Sequence, residues 1–246
     1  MRRLLEVCVE DVAGIDAAVA GGADRIELCA ALAVGGLTPP ASLIAAAAGA
    51  PIPVHLLARP RDGTFAYSSA EAALVAADIR AAAEAGLAGV VIGASLADHR
   101  LDADLLAQWV AVARGTPTPL SLTLHRAFDL CPDPLAALET AIALGFDRIL
   151  TSGCSPKAID GRATLAKLVA AAGDRLIILA GSGIDATTLP PILETGVREV
   201  HASCRSPQGT VAATETAFGF QAGPRLATDP AKVAELRNLL NLQASA

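Results

Sequence analysis

GGADRIELCA, residues 21–30, places a short alternating strand directly after an alanine-rich run that ends in paired glycines. Arg25, Ile26, Glu27, Leu28 and Cys29 alternate polar with apolar, so Glu27 and Cys29 share one face. A strand packed between helices ordinarily reads as a nearly continuous hydrophobic run. A carboxylate and a thiol on one face of such a strand therefore need an explanation. The stretch has relatives in the chain. GFDRILTSGC (145–154) and GVREVHASC (196–204) repeat a glycine, one residue, a charged pair and a short strand, and GLAGVVIGAS (86–95) is a weaker copy. In each, a helix-forming run ends at a glycine, the residue suited to the left-handed position after a helix.

Working outward, strand-like runs fall at 4–9, 25–29, 54–59, 89–95, 120–126, 148–153, 176–183 and 199–204. Helical patterns fill the gaps at 11–21, 40–49, 69–86, 102–114, 133–144, 157–172, 186–195 and 229–241, with Asp133–Pro134 and Asp185 as N-terminal caps. Eight strands alternating with eight helices predict an α/β fold, a single (β/α)8 TIM barrel over residues 1–246. A doubly wound sheet is the competitor, but no GxGxxG follows the first strand. Arg205–Thr228 reads as one long irregular loop over the C-terminal face, placed to act as a lid.

Composition narrows the function. A net charge of −6 with 3% aromatic residues argues against nucleic acid as a partner. The most apolar window, residues 43–58, is broken by Gly49, Pro51 and Pro53 and makes a poor membrane span. No secretory signal is evident, and five cysteines without a CxxC spacing suggest reduced thiols and a cytoplasmic location.

Sites of such barrels lie at the C-terminal strand ends. Parity puts Glu6 with Cys8, Glu27 with Cys29, His55 with Arg59, Thr123 with His125, and Glu199 with His201 and Ser203. Arg61, Arg126 and Asp129 follow in loops, and Ser152, Gly181 and Gly183 end two further strands. Glu6, Glu27, Arg59, His125 and Asp129 are the candidate catalytic residues, expected to converge in one mouth with Arg59 or a bound cation between the two glutamates. Arg61, Arg126, Ser152, Gly181, Gly183, His201 and Ser203 are the candidate ligand-binding residues. The competing interpretation of these charges is a structural ion-pair layer. His55 sits early on its strand and reads as core, and His99 as solvated. GxSxG, HExxH and a strand-end lysine are all missing, which argues against a serine hydrolase, a local zinc motif and a Schiff-base aldolase. AGSGI (180–184) has the position of a barrel phosphate site.

LEVCVED (5–11), GGADRIELC (21–29), GGLTP (35–39), RPRDGTFAYS (59–68), HRAFD (125–129), LTSGC (150–154) and EVHAS (199–203) together resemble the CutC family of copper homeostasis proteins, over residues 4–204. The resemblance implies a cytoplasmic TIM barrel that forms homo-oligomers, dimers or tetramers. It also implies Cu(I) held by Cys8 and Cys29, and no established enzymatic activity. Ala66 stands where some members have cysteine, and Thr64 where the family loop carries an acid. Cu(I) favours soft thiolates, and neighbouring strands lie about 5 Å apart. A thiolate site leaves the charged residues unused. The alternative is an enzyme for a small anionic metabolite, phosphorylated or not, in which arginines clamp the anion and His125 or Glu27 moves protons. A non-catalytic oligomeric scaffold is the third class, and it leaves the charged mouth unexplained.

Overall fold

The charged pair of the repeated template does two jobs. Its first member, Asp24, accepts a hydrogen bond from the backbone N–H of Leu5 at 2.8 Å, and Asp147 does the same for Leu122 at 2.7 Å. Each aspartate thus satisfies a backbone donor near the start of the preceding strand. Its second member, Arg25 or Arg148, turns into the space the strands enclose. In the third copy the charges are reversed, Arg198 then Glu199. Glu199 meets both arginines, Arg25 at 2.7 Å and Arg148 at 3.4 Å.

The computed structural model describes residues 3–242; the ends of the expected 1–246 domain lie outside the described residues. Eight strands, β1 (Leu4–Val9), β2 (Arg25–Leu28), β3 (Val54–Leu57), β4 (Gly89–Ile92), β5 (Ser121–Leu124), β6 (Arg148–Thr151), β7 (Ile177–Gly181) and β8 (Glu199–Ala202), pair in parallel and close on themselves. Helices α1 (Val12–Ala20), α2 (Ala41–Ala47), α3 (Ser69–Glu84), α4 (Ala103–Arg114), α5 (Pro134–Leu144), α6 (Arg162–Ala172) and α7 (Leu189–Leu193) connect them. This is the expected (β/α)8 barrel. Among the described residues no helix is long and apolar enough to cross a membrane.

Parity sorts the side chains. Leu5, Val7, Val9, Ile26, Leu28, Leu56, Val90 and Leu122 face the helices and are fully buried, each contributing about 1.5–3 kcal/mol. The alternate positions fill the interior, which divides into two levels. The lower carries Glu6, Arg25, His55, Thr123, Arg148 and Glu199, and above it Cys8, Cys29, Leu57 and Val91 pack in one cluster.

Local signals match their predicted roles in part. Asp133 Oδ1 caps α5 through the N–H groups of Leu135 and Ala136, and Gly145 ends it at φ +82°. Asp185 does not start a helix; it folds a turn by accepting from Thr187 and Thr188, and α7 begins later. Gly21 itself is right-handed, and Gly22 takes the positive φ. Gly21 is small for another reason: a Cβ there would stand 2.4 Å from Val233 Cβ. Apart from β1, the strands are shorter than their apolar runs at the C-terminal end, where the last residues leave the ladder to build the mouth. Arg205–Thr228 is not one irregular loop. It forms an antiparallel ribbon, β9 (Arg205–Gln208) with β10 (Arg225–Thr228), around a short helix α8 (Ala213–Ala217), before α9 (Pro230–Leu242) packs on α1. Arg225 anchors the ribbon to Asp11 at 2.6 Å.

Candidate functional site

Glu6 is the lowest of the predicted site residues. It is wholly buried, pairs through Oε2 with Arg25 Nε, and meets His201 Nδ1 through Oε1 at 2.8 Å. Burial alone would raise its pKa, but Arg25 and His201 outweigh burial and hold the carboxyl well below the usual range. Glu6 therefore lies beneath the mouth as a positioning group and does not line it. Arg25, not Arg59, neutralises Glu6, and His201 stands between the two glutamates.

The ring of His201 presents Nε2 3.9 Å from Glu27 Oε2. Cys8, Glu27 and His201 offer donor atoms that all lie within 4.8 Å of one another. Burial opposes protonation of His201, but the Cys8 sulfur and Glu27, with Glu6 behind, hold its pKa well above the usual value. Glu27 has no such guanidinium partner. Burial pushes its carboxyl up to about 7, in spite of His201, which suits a group that must both give and take a proton near neutrality.

These three residues line a pocket of about 360 Å³ at the C-terminal strand ends, together with Arg59, Phe65, His125, Arg126, Ser182, Gly183, Ser203 and Arg205. A larger hollow of about 690 Å³ opens at the opposite end beside Leu4, Ile52 and Arg198; it holds no histidine or cysteine.

The opposite wall is built around Arg59. Its Nη1 donates to the carbonyls of Val34 and Gly36 at 2.8 and 2.9 Å, and its guanidinium lies 5.2 Å over the Phe65 ring. Phe65 in turn contacts His125 at 4.8 Å. His125 Nδ1 accepts from the N–H of Ala127 at 3.1 Å, which assigns the proton of the neutral ring to Nε2. Burial, reinforced by Arg59, pushes His125 down to about 3, so it stays neutral. Its Nε2 is buried and has no partner among the described residues. Gly93 makes the space: a Cβ there would lie 2.4 Å from two atoms of the imidazole.

Asp129 does not join the catalytic group. The 3-10 turn Arg126–Leu130 folds its carboxylate under β6, where it accepts from Thr151, Ser152 and Cys154 and pairs with Arg126 at 2.7 Å. Ser152 is absorbed in the same network. Arg61 faces away from the pocket, paired with Glu71 and donating to the carbonyls of Thr64 and Ala66. Gly181 serves packing: a Cβ would meet Leu150 at 2.5 Å and His201 Cβ at 3.3 Å. Gly183, Arg126, His201 and Ser203 do line the pocket. His55 is an interior residue of the lower level and His99 is exposed. Cys29 is not level with Cys8. The register sets Cys8 beside Glu27, and the Cys29 thiol donates to Val9 O at 3.3 Å. Burial, with Cys8 adding to it, drives the Cys29 pKa far up.

Arg25 and Arg148 were absent from the predicted site, although they share the inward parity of Glu27 and Leu150. Phe65 and Gly93 carried no local signal.

The CutC family model matches residues 3–206. A Sinorhizobium medicae protein named family protein CutC is 49% identical over 99% of this chain and 98% of its own length. A human protein named copper homeostasis protein cutC homolog is 43% identical over 82% of this chain and 74% of its own. The crystal structure of a putative copper homeostasis protein CutC from Streptococcus agalactiae superposes with a TM-score of 0.76 at 32% identity, covering 82% of this chain and 98% of that one. A thiamine phosphate pyrophosphorylase from Pyrococcus furiosus, at 15% identity and TM-score 0.60 over 97% and 96% of the two chains, shares the fold.

Glu27 sets a pH signature. Its native pKa of about 7 exceeds the ordinary 4.5, so the folded chain binds the proton more tightly and loses stability as pH rises between those values. Glu6, His201, Cys8 and Arg25 face it throughout. Glu27→Gln, which cannot ionise, should gain about 3 kcal/mol relative to wild type across that window. Denaturant unfolding at several pH values checks this. A variant less stable by a constant amount at every pH would mark Glu27 as a structural ion-pair partner.

Proposed function

The chain belongs to the CutC family, and on that premise we propose that it is an enzyme performing acid–base chemistry on a small anionic metabolite held in the barrel mouth. One observation carries this reading: Glu27 and His201 come within 3.9 Å in a pocket that Arg126 and Arg205 also line. Two groups with opposed electrostatic settings face the same space, as proton-transfer sites require. Glu27 exchanges the proton with substrate. His201, fixed by Glu6, supplies positive charge beside it. Arg126 and Arg205 attract a carboxylate or phosphate, and the Ser182–Gly183 turn receives it. His125 donates from Nε2 to a substrate oxygen, satisfying a donor that is otherwise orphaned.

Copper binding is the second reading, supported by the names of the relatives and by the packing of Cys8 and Cys29 in one interior cluster. Two thiolates suffice for Cu(I). On this reading the reduced protein takes up about one Cu(I) per chain, and Cys8→Ser/Cys29→Ser abolishes it; an unchanged stoichiometry in the double variant rejects it.

For the enzymatic reading, a panel of small phosphorylated and carboxylated metabolites is screened by thermal shift and by NMR for turnover. Glu27→Gln should keep ligand binding and lose about 10²–10⁴-fold in turnover, whereas Arg126→Met should chiefly weaken binding. Full turnover in Glu27→Gln, with a compound that the wild type converts, contradicts the assignment.

A further inference from the structure

Cys8 is the third member of the pocket floor, and proton transfer by Glu27 leaves it unused. Its sulfur shares the 4.8 Å cluster with the His201 ring. The Nδ1 of His201 is held at 2.8 Å by Glu6, which Arg25 pins in turn. The order is thiol, imidazole, buried carboxylate. A nucleophile, its base and a group that orients the base make up this arrangement in covalent catalysis, with the first contact often loose before substrate binds. The surroundings supply the remaining part. The His125 Nε2–H is a buried donor without a partner in the wall of the same pocket, and a developing oxyanion needs such a preorganised donor.

We propose that Cys8 is a catalytic nucleophile, with His201 as its base and Glu6 as the positioning residue, acting on anionic substrates that carry an acyl carbonyl: esters, thioesters or lactones. The inference rests on the enzymatic reading above and deepens it. At rest the Cys8 proton sits on His201, which is why that ring is an imidazolium, and the Cys8 thiolate forms a C–S bond to the carbonyl carbon. The carbonyl π pair moves to oxygen, which accepts from His125. The tetrahedral adduct collapses, the bond to the leaving group breaks, and the leaving group takes the proton from His201. Water then gives a proton to His201 and adds to the thioester carbonyl. The C–S bond breaks, the acid departs, and the Cys8 thiolate with protonated His201 is restored. The sum is acyl compound plus water giving acid plus leaving group.

Other thiols of the chain are set against such reactivity. Burial pushes Cys131 and Cys154 up to about 11 and Cys204 up to about 12. Cys154 is nevertheless the more exposed, at the level of a half-buried residue, whereas Cys8 is 4% exposed. Exposure alone would therefore favour Cys154, and activation by His201 favours Cys8.

Limiting iodoacetamide at pH 7, with peptide mapping by mass spectrometry, separates the two. Cys8 should be alkylated at least about tenfold faster than Cys154, and His201→Gln should slow Cys8 about tenfold while leaving Cys154 unchanged, which also reports that the fold is intact. With mono-4-nitrophenyl succinate as an anionic ester probe, nitrophenolate release should show a burst of about one per chain and a succinyl mass on the Cys8 peptide. Cys8 reacting no faster than Cys154, or unaffected by His201→Gln, overturns the proposal. The labelling needs no natural substrate. Should a metabolite be turned over with dependence on Glu27 and survive Cys8→Ala, the covalent step alone falls and the acid–base reading stands.

Discussion

The ion-pair layer in the barrel interior is the constraint on which the rest of the molecule depends. Arg25 bridges Glu6 and Glu199, and Arg148 adds to Glu199 from the far side, with all four side chains nearly or wholly removed from water. Such charges lose several kcal/mol of hydration each, and they remain ionised only because each meets an opposite partner. Taking one away leaves an uncompensated charge, at a cost of about 3–5 kcal/mol. A barrel of this kind is usually filled by branched apolar side chains. Here the lower interior is spent on fixing a charge pattern, and the apolar packing is carried by the helix-facing positions.

What that layer fixes is the mouth above it. Glu6 is ionised because of Arg25, and ionised Glu6 orients His201. His201 then presents its remaining nitrogen to Glu27, with Cys8 in the same cluster. Across the pocket, His125 is set the opposite way, neutral and donating, by burial, Arg59 and the N–H of Ala127. Two histidines in one pocket thus hold opposite charge states, and the difference follows from which charge each one meets. The Asp129 network plays a separate part: it ties the turn after β5 to the end of β6 and so places Arg126 at the rim.

Strand parity made much of this legible. Because alternate residues share a face, Glu6, Cys8, Glu27, Arg59, His125 and His201 could all be assigned to the interior from the sequence. The charged pair of the repeated template was visible too. Arg25 and Arg148 sit at the opposite ends of their strands from the mouth, and so Arg59 or a bound cation is what the sequence suggests where Arg25 pairs with Glu6. Asp129 and Arg61 misled for another reason. Both follow strands closely in sequence, but a 3-10 turn carries one under β6 and a carbonyl-lined loop turns the other outward. The stagger of parallel strands hid the offset between Cys8 and Cys29, since like positions in two motifs are not like levels in a tilted barrel.

The central claim is that buried charge sets the state of His201. Nitrogen-15 NMR of histidine-labelled protein at pH 7 addresses it directly, because the chain has only four histidines to assign. The account predicts that His201 is an imidazolium with both ring nitrogens protonated, its Nδ1–H hydrogen-bonded to Glu6, while His125 is a neutral Nε2–H tautomer in the same sample. A neutral His201 with an unprotonated Nδ1 would contradict it.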